Sequence, residues 1–516
     1  MTRSETRRAG GRRGRKLADA AGSGARAVDY HNLRHPFPPV GVFTDDRVMA
    51  MHETAIRVLE DLGMQVLLPE ARALYRAGGA LVDDDSQMVR IGREMVVAAL
   101  ETAPRSITLR AGRREKDVLL ELGTLAIQTG AGAPHATDRI KGRRPGSLTD
   151  FRDFTRLTHH YDVFQMLGPS VEPQDVAPHI RHYETTAAIL TLSDKAPFLY
   201  ARGSAQVADG FEMIRLARGL TQAEFAAHPH AYTIINTNSP RMLDIPMAQG
   251  LIDFARAGQV SVVTPFCLMG AMAPVTVAGA VTLSHAEALA AIVLTQLARP
   301  GAPVCYGSFT SNVDMKSGAP AFGTPEHVKA NLAVGQLARL VGLPWRSATG
   351  AAGVANDAQA AHETQMGAWG AVLAGATILI HGAGWIEGGL TVSFEKLITD
   401  LEAMQIFAEL CAPTPCTDAD IAFEALREVA PGGHFFGAAH TMERYSTAFY
   451  EPVVADWSNF GTWAERGEMD ADERATGVWQ QALKEYRPPE TNAEGIAAMR
   501  EFAARRISEG GAPPES

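Results

Sequence analysis

Cysteine is scarce in this chain, with four thiols in 516 residues. A disulfide framework is therefore not the expected stabilising device, and a reducing compartment, the cytoplasm, is the expected setting. Cys411 and Cys416 lie five apart, but no second Cys or His cluster at zinc spacing accompanies them. They read as free thiols near a helix end, and no metal site is expected. Long apolar runs are missing too: none reaches the ~18 residues that a bilayer-spanning helix needs, so no membrane segment is expected. Basic residues are outnumbered, 48 against 58 acidic, for a net charge of −10. That balance argues against a nucleic-acid-binding body. No GxSxG elbow, no P-loop and no GxGxxG opening a helix after a strand occurs, and no carboxylate pair stands out for glycosidase-like chemistry. These absences all point away from common reaction classes.

What is present begins with a basic tail. Arg3, Arg7, Arg8, Arg12, Arg13, Arg15 and Lys16 crowd residues 1–28, and no apolar stretch completes a secretory or twin-arginine signal. It reads as disordered, with a contact to an anionic surface as the other reading, and no chemistry is assigned to it. Hydrophobic content of 46% supports a sizeable core. The segment from Thr44 to Gly63 predicts a helix: Thr44 can cap it, Asp45 and Asp46 favour its positive end, and Gly63 suits the stop. Residues 29–122 read as an α+β N-terminal layer.

From Leu125 a regular beat begins. Short apolar strands are predicted near 125–128, 163–167, 198–200, 231–235, 260–264, 304–306, 345–347 and 377–380. Helices follow near Thr149, Pro178, Ala205, Met242, Thr276, Pro325, Asp357 and Phe394. Eight such units are the count of a closed parallel barrel, so the fold class expected is α/β, a (β/α)8 TIM barrel over 123–412. An open doubly wound sheet is the alternative. Residues 413–516 leave the beat and read as a C-terminal loop and helical extension.

In such a barrel the loops after the strands form the site. They present Asn236 and Asn238, Phe266, Tyr306 with Ser308 and Phe309, then His381, Trp385 and Glu387. Several aromatics at one mouth suit a quaternary ammonium, each ring contributing ~0.5–2 kcal/mol by cation–π attraction. Glu387 or Asp314 would add Coulombic attraction. Barrel-top packing is the competing reading for each ring alone; as a group they favour a cationic small ligand. His381, at a strand terminus, reads equally as a buried hydrogen-bonding residue or an acid/base. No catalytic residue is assigned.

Several longer motifs carry a family likeness. They are IRVLEDLGM, GAGAP at 130–134, INTNSP at 235–240, AMAPVTVAGA at 271–280, YGSFTSNVDMKSGAPAFGTPE, DAQAAHE, ILIHGAGWIEGGLTVSFEKLI and PGGHFFGAAHT. Together they cover most of the chain from about residue 44. With them the sequence resembles the trimethylamine:corrinoid methyltransferase family. The resemblance implies a (β/α)8 barrel that takes methyl from a methylated amine and hands it to the cobalt of a separate corrinoid protein docked over the mouth. No cofactor is then bound in the chain itself, and a homo-oligomer is expected. Archaeal trimethylamine-using members carry pyrrolysine just before the helix that here begins at Asp357. This chain has Gly353-Val-Ala-Asn356 there, so it resembles the non-pyrrolysine branch, which is glycine betaine methyltransferase-like. His135 and His362 stand where many relatives have tyrosine. For a betaine, Asn236, Asn238, His381, Ser308 and Lys316 are candidate donors to the carboxylate. The expected function is methyl transfer from a quaternary or tertiary methylamine to a corrinoid protein. The rivals are a same-fold methyltransferase with a folate acceptor and a non-catalytic betaine-binding protein.

Overall fold

Runs such as Val260-Ser-Val-Val263 are too short for helices and lie between well-capped helical segments, so they pair side by side with helices crossing over. The computed structural model describes residues 29–515, and the tail expected at 1–28 lies outside the described residues. The central sheet runs in the order Leu33–Arg34, Thr124–Ile127, Ile378–Ile380, Trp345–Ala348, Val304–Gly307, Val260–Val263, Tyr232–Ile235. Every pair is parallel except that of Leu33–Arg34, which adds an antiparallel piece to one edge.

Two of the eight expected strands form no ladder. Residues 163–167 and 198–200 are joined instead by single parallel bridges, Gln128 to Met166, Met166 to Ala196 and Phe198 to Tyr232. Side-chain chemistry explains the difference. Gln165 Oε1 accepts from the Ile127 N–H at 2.6 Å, using a donor that a ladder would need. Pro197 has no N–H to give. The structure is a mixed α/β fold whose regular ladders do not close on themselves.

Side chains alternate across each strand. One set, including Ala126, Tyr232, Val262, Cys305 and Ile380, shares a buried cluster with Ile107, Leu109, Val118 and Leu120. The last four belong to the hairpin Ser106–Leu109 and Val118–Glu121, which plugs the end where the parallel strands begin. The opposite set faces the helices. Helix Val277–Ala298 is long and apolar enough to cross a membrane, yet 78% of its apolar window is buried within the molecule. It packs against Asp45–Arg57, Arg93–Thr102, Ile245–Ala257 and Pro325–Val341. Thr44 does stand at a helix N-cap, but its hydroxyl makes no capping bond. After the last central strand, helix Phe394–Cys411 carries the chain out, and Ala471–Glu485 packs back on it.

Candidate active site

The segments that leave the C-terminal ends of neighbouring strands do not remain loose loops. Phe266–Met269 and Phe309–Val313 pair in parallel, with Phe266 opposite Phe309, so the two rings are fixed 5.2 Å apart. Phe322 stacks on Phe309 at 5.2 Å and meets Trp385 edge-on at 5.3 Å. His381 stacks on Trp385 at 4.6 Å. Phe309 stands at the centre, 5.7 Å from His381 and 6.0 Å from Trp385.

Trp385 is set by backbone on both sides. A Cβ on Gly350 would lie 2.4 Å from its ring and one on Gly389 only 2.2 Å, and both glycines have positive φ, +146° and +95°. The turn between them is pinned from below, where the Gly384 N–H donates to Asp400 Oδ2 at 2.9 Å. His381 and Glu387 also adopt positive φ, +60° and +57°, conformations that cost non-glycine residues energy and cluster at functional sites.

Under the rings lies Arg346, the second residue of strand Trp345–Ala348. It is 2% exposed, and its Cζ sits 5.1 Å from the Phe309 centroid. One Nη1 bond reaches the Ser308 carbonyl at 3.0 Å, while Nε has no partner. No carboxylate among the described residues forms an ion pair with it, and burial pushes its pKa down to about 9. His381 is held neutral, its pKa driven well below the usual value by burial and then by Arg346. His327 lies 6.1 Å from Phe309 and 6.0 Å from Phe322, and burial lowers its pKa to about 4. His381 Nδ1, Trp385 Nε1, His327 Nε2 and both side-chain polar atoms of Gln128 are also buried without partners. Buried polar atoms are normally satisfied, so the unpartnered ones beside these rings make this the candidate site.

The remaining sequence candidates are placed elsewhere. Tyr306 is fully buried on the helix side of its strand, and its hydroxyl meets His285 Nδ1 at 2.9 Å. The Ser308 hydroxyl is engaged with Ser284 and Thr310. Asn238 and Asp244 hold each other across their loop, and Asn236 is exposed on it. The Glu387 carboxylate accepts from Arg143 Nε at 2.9 Å and from Thr391. Burial raises its pKa, but these donors outweigh burial and hold it below the usual range. Asp314 is exposed and closes its own turn through Lys316 N and Ser317. Neither acid supplies the Coulombic attraction expected of it. Phe266, Phe309, His381 and Trp385 do come together. Sequence reasoning missed Arg346, Phe322, His327 and Gln128. An arginine inside the otherwise uncharged strand Trp345–Ala348 was the available signal.

Chemically, the arrangement brings a buried guanidinium, a partner for an anion, together with packed aromatic rings and neutral imidazole and indole groups. The model of one family, described as Trimethylamine methyltransferase (MTTB), matches residues 8–511. A glycine betaine methyltransferase of Desulfitobacterium hafniense (strain Y51) is 31% identical over 476 residues, covering 92% of this chain and 98% of that protein. A trimethylamine methyltransferase of D. hafniense (strain DSM 10664 / DCB-2) is 29% identical, covering 88% and 92%. Among solved structures, the monomethylamine methyltransferase of Methanosarcina barkeri superposes with a TM-score of 0.44 at 11% identity, over 96% of this chain and 98% of that one.

Proposed function

The chain belongs to the trimethylamine methyltransferase (MTTB) family and is a methyltransferase, and we propose that it takes methyl from a quaternary ammonium carboxylate, a betaine, for a separate corrinoid protein. The observation that carries the substrate class is Arg346, buried beside the rings with no ion-pair partner among the described residues. A bare cation ~5–6 Å from that guanidinium would be repelled by about 3 kcal/mol at an effective dielectric of ~20. One ring returns only ~0.5–2 kcal/mol. A carboxylate on the same ligand reverses the sign, because a charge-assisted fork to Arg346 contributes ~1.5–3 kcal/mol. Choline and protonated trimethylamine lack that group. Glycine betaine, the substrate named for the D. hafniense relative, has it.

The corrinoid partner supplies the cobalt(I) electron pair that accepts the methyl group. This chain's residues do the rest. Phe266, Phe309, Phe322 and Trp385 hold the ammonium and exclude water, Arg346 fixes the opposite end, and one N-methyl is left facing outward. The C–N bonding pair stays on nitrogen, so the amine leaves neutral and no proton need be delivered. The neutral state of His381 and His327 fits a site that performs no acid/base step. All four thiols are free, in keeping with a cytoplasmic setting.

The same reading includes the finer fold. The three single bridges from Tyr232 back to Gln128 support a closed (β/α)8 barrel in which 163–167 and 196–200 are irregular staves. Residues 29–122 form its N-terminal layer, 123–412 the barrel and 413–516 the extension.

Calorimetry with glycine betaine, proline betaine, carnitine, choline and trimethylamine tests the substrate class. One zwitterion should bind saturably while choline and trimethylamine stay silent; equal binding of choline would overturn it. Transfer is then followed spectroscopically with cobalt(I) corrinoid, using tetrahydrofolate as the alternative acceptor. Methylation of the folate without corrinoid would favour the folate enzyme, and binding with no transfer to either would favour a betaine-binding protein.

A further inference from the structure

The motif DAQAAHE ends on Glu363, within helix Ala358–Ala374. Its side chain is not a free surface charge. Oε2 accepts the backbone N–H groups of Ala352 at 2.8 Å and Gly353 at 2.9 Å, and Oε1 accepts from Gln359 Nε2 at 2.9 Å. The two backbone donors belong to residues 349–357, which form neither helix nor strand. That segment braces Trp385. Its Gly350 leaves room for the indole, where a Cβ would lie 2.4 Å from the ring. Its backbone also pairs with the turn that carries Trp385: the Gly353 carbonyl accepts from the Glu387 N–H at 2.8 Å and the Ala351 carbonyl from the Gly388 N–H at 3.0 Å. The backbone of Glu363 touches the opposite wall. A Cβ on Gly323, the neighbour of Phe322, would lie 2.4 Å from Glu363 Cα. Phe322 and Trp385 themselves meet edge-on at 5.3 Å.

We infer that Glu363 is a positioning residue for ligand binding: its carboxylate fixes the segment 349–353 and, through it, the place of Trp385 against Phe322. The inference rests on the reading that these rings hold the ligand's ammonium group. Glu363 itself touches no ligand in this scheme. Hydrogen bonds from backbone N–H groups to a carboxylate are of the stronger, charge-assisted kind. The segment they hold has no ladder or helix to keep it in place, and its glycines at 350 and 353 allow it many other conformations. With the acceptor gone, the Ala352 and Gly353 N–H groups need new partners, and the loop must move to find them. Trp385 moves with it, because loop and turn share two backbone hydrogen bonds. A cation–π contact works only within about 6 Å of the ring centre, so a small displacement of the indole weakens binding with every ring still present.

Fluorine NMR on the full chain labelled with 5-fluorotryptophan tests this directly. The chain has six tryptophans, and Trp385→Phe identifies the resonance of Trp385. Without ligand, Glu363→Ala should displace or broaden that resonance and leave the others in place. Glu363→Gln keeps an acceptor for both N–H groups and should restore it. Affinity for the betaine that the wild type binds should fall about tenfold or more in Glu363→Ala and stay within about threefold in Glu363→Gln. An unmoved Trp385 resonance in Glu363→Ala would overturn the inference. So would a shift spread over all six signals, which would make Glu363 a general support of the fold. Equal loss of affinity in the glutamine variant would also overturn it, since the hold on the loop would then not be what matters. A wild type that binds no betaine would sink the function proposed above, while the ligand-free spectra would still decide whether Glu363 places Trp385.

Discussion

A guanidinium buried without an anion is a liability in the empty protein and an asset once a carboxylate arrives. Arg346→Met, which keeps the stem and removes the charge, should therefore act in opposite directions on stability and binding. Thermal unfolding without ligand should shift upward, in line with the ~1–4 kcal/mol often gained when buried charge is replaced by apolar side chains. Betaine affinity should fall by roughly 10- to 150-fold, the equivalent of the ~1.5–3 kcal/mol of a charged hydrogen bond. Loss of stability together with loss of binding would mean that Arg346 is structural. His327 supplies a pH prediction. In the unfolded chain it protonates near 6.5, whereas in the folded protein burial lowers its pKa to about 4. The unfolded state thus binds the proton first as pH falls. The contribution is fully present above pH ~6.5 and is lost progressively toward pH ~4, on the order of 3 kcal/mol at 1.36 kcal/mol per pH unit. Denaturant midpoints measured from pH 7.5 to 5 should fall less steeply in His327→Gln than in the unmodified chain.

At the scale of elements, the site depends on turns that hold a ring in place. Gly389→Ala would put a methyl 2.2 Å from Trp385 at a backbone φ of +95°. The turn must open or the indole must move, with strain of order 1–3 kcal/mol. The expected result is a betaine affinity reduced at least tenfold with altered tryptophan emission; unchanged affinity would remove Trp385 from the binding surface. Elements also show which parts of the site the sequence could disclose. The alternation of strands and helices was readable because caps, glycines and apolar runs are local signals. Which face of a strand points inward was not. Val304-Cys-Tyr-Gly307 is buried on both sides, and a uniformly buried parallel strand carries no polar alternation to reveal its register. Cys305 therefore lies inside while Tyr306 reaches His285 on the helix side. The same ambiguity hid Arg346, which lies within the strand Trp345–Ala348, buried along its whole length, and not on the loop after it. Strands 163–167 and 198–200 were expected from composition, and their ladders fail for reasons of partner chemistry. Gln165 competes for a backbone donor and Pro197 lacks one. Phe322 and His327 were out of reach as well, since they follow Pro320–Ala321, which folds back to pair antiparallel with Phe309–Val313.

Across the whole molecule, the mouth is one end of a sheet whose other end is stoppered by the hairpin Ser106–Leu109 and Val118–Glu121. Leu109 and Leu120 are completely buried among inward-facing residues of the central strands. The Glu121 carbonyl accepts from Thr377 Oγ1 at 3.1 Å and from Thr124 Oγ1 at 2.9 Å, so hairpin and strands share hydrogen bonds as well as a core. A segment bound in both ways cannot open without exposing the interior it covers, and it should unfold with the sheet as one cooperative unit. Leu120→Ala removes a fully buried side chain and should cost ~2–5 kcal/mol. Native-state hydrogen exchange reads how that loss is distributed. If the hairpin is part of the central core, amides of 118–121 and of the distant-in-sequence strand Ile378–Ile380 should accelerate by the same factor. Acceleration confined to 106–121 would make the hairpin an appendage, and stability at the mouth would then owe nothing to the far end. Uniform acceleration would tie the rigidity of the rings around Phe309 to a plug at the opposite pole, because the strands that carry Arg346 and lead into His381 begin on that shared core.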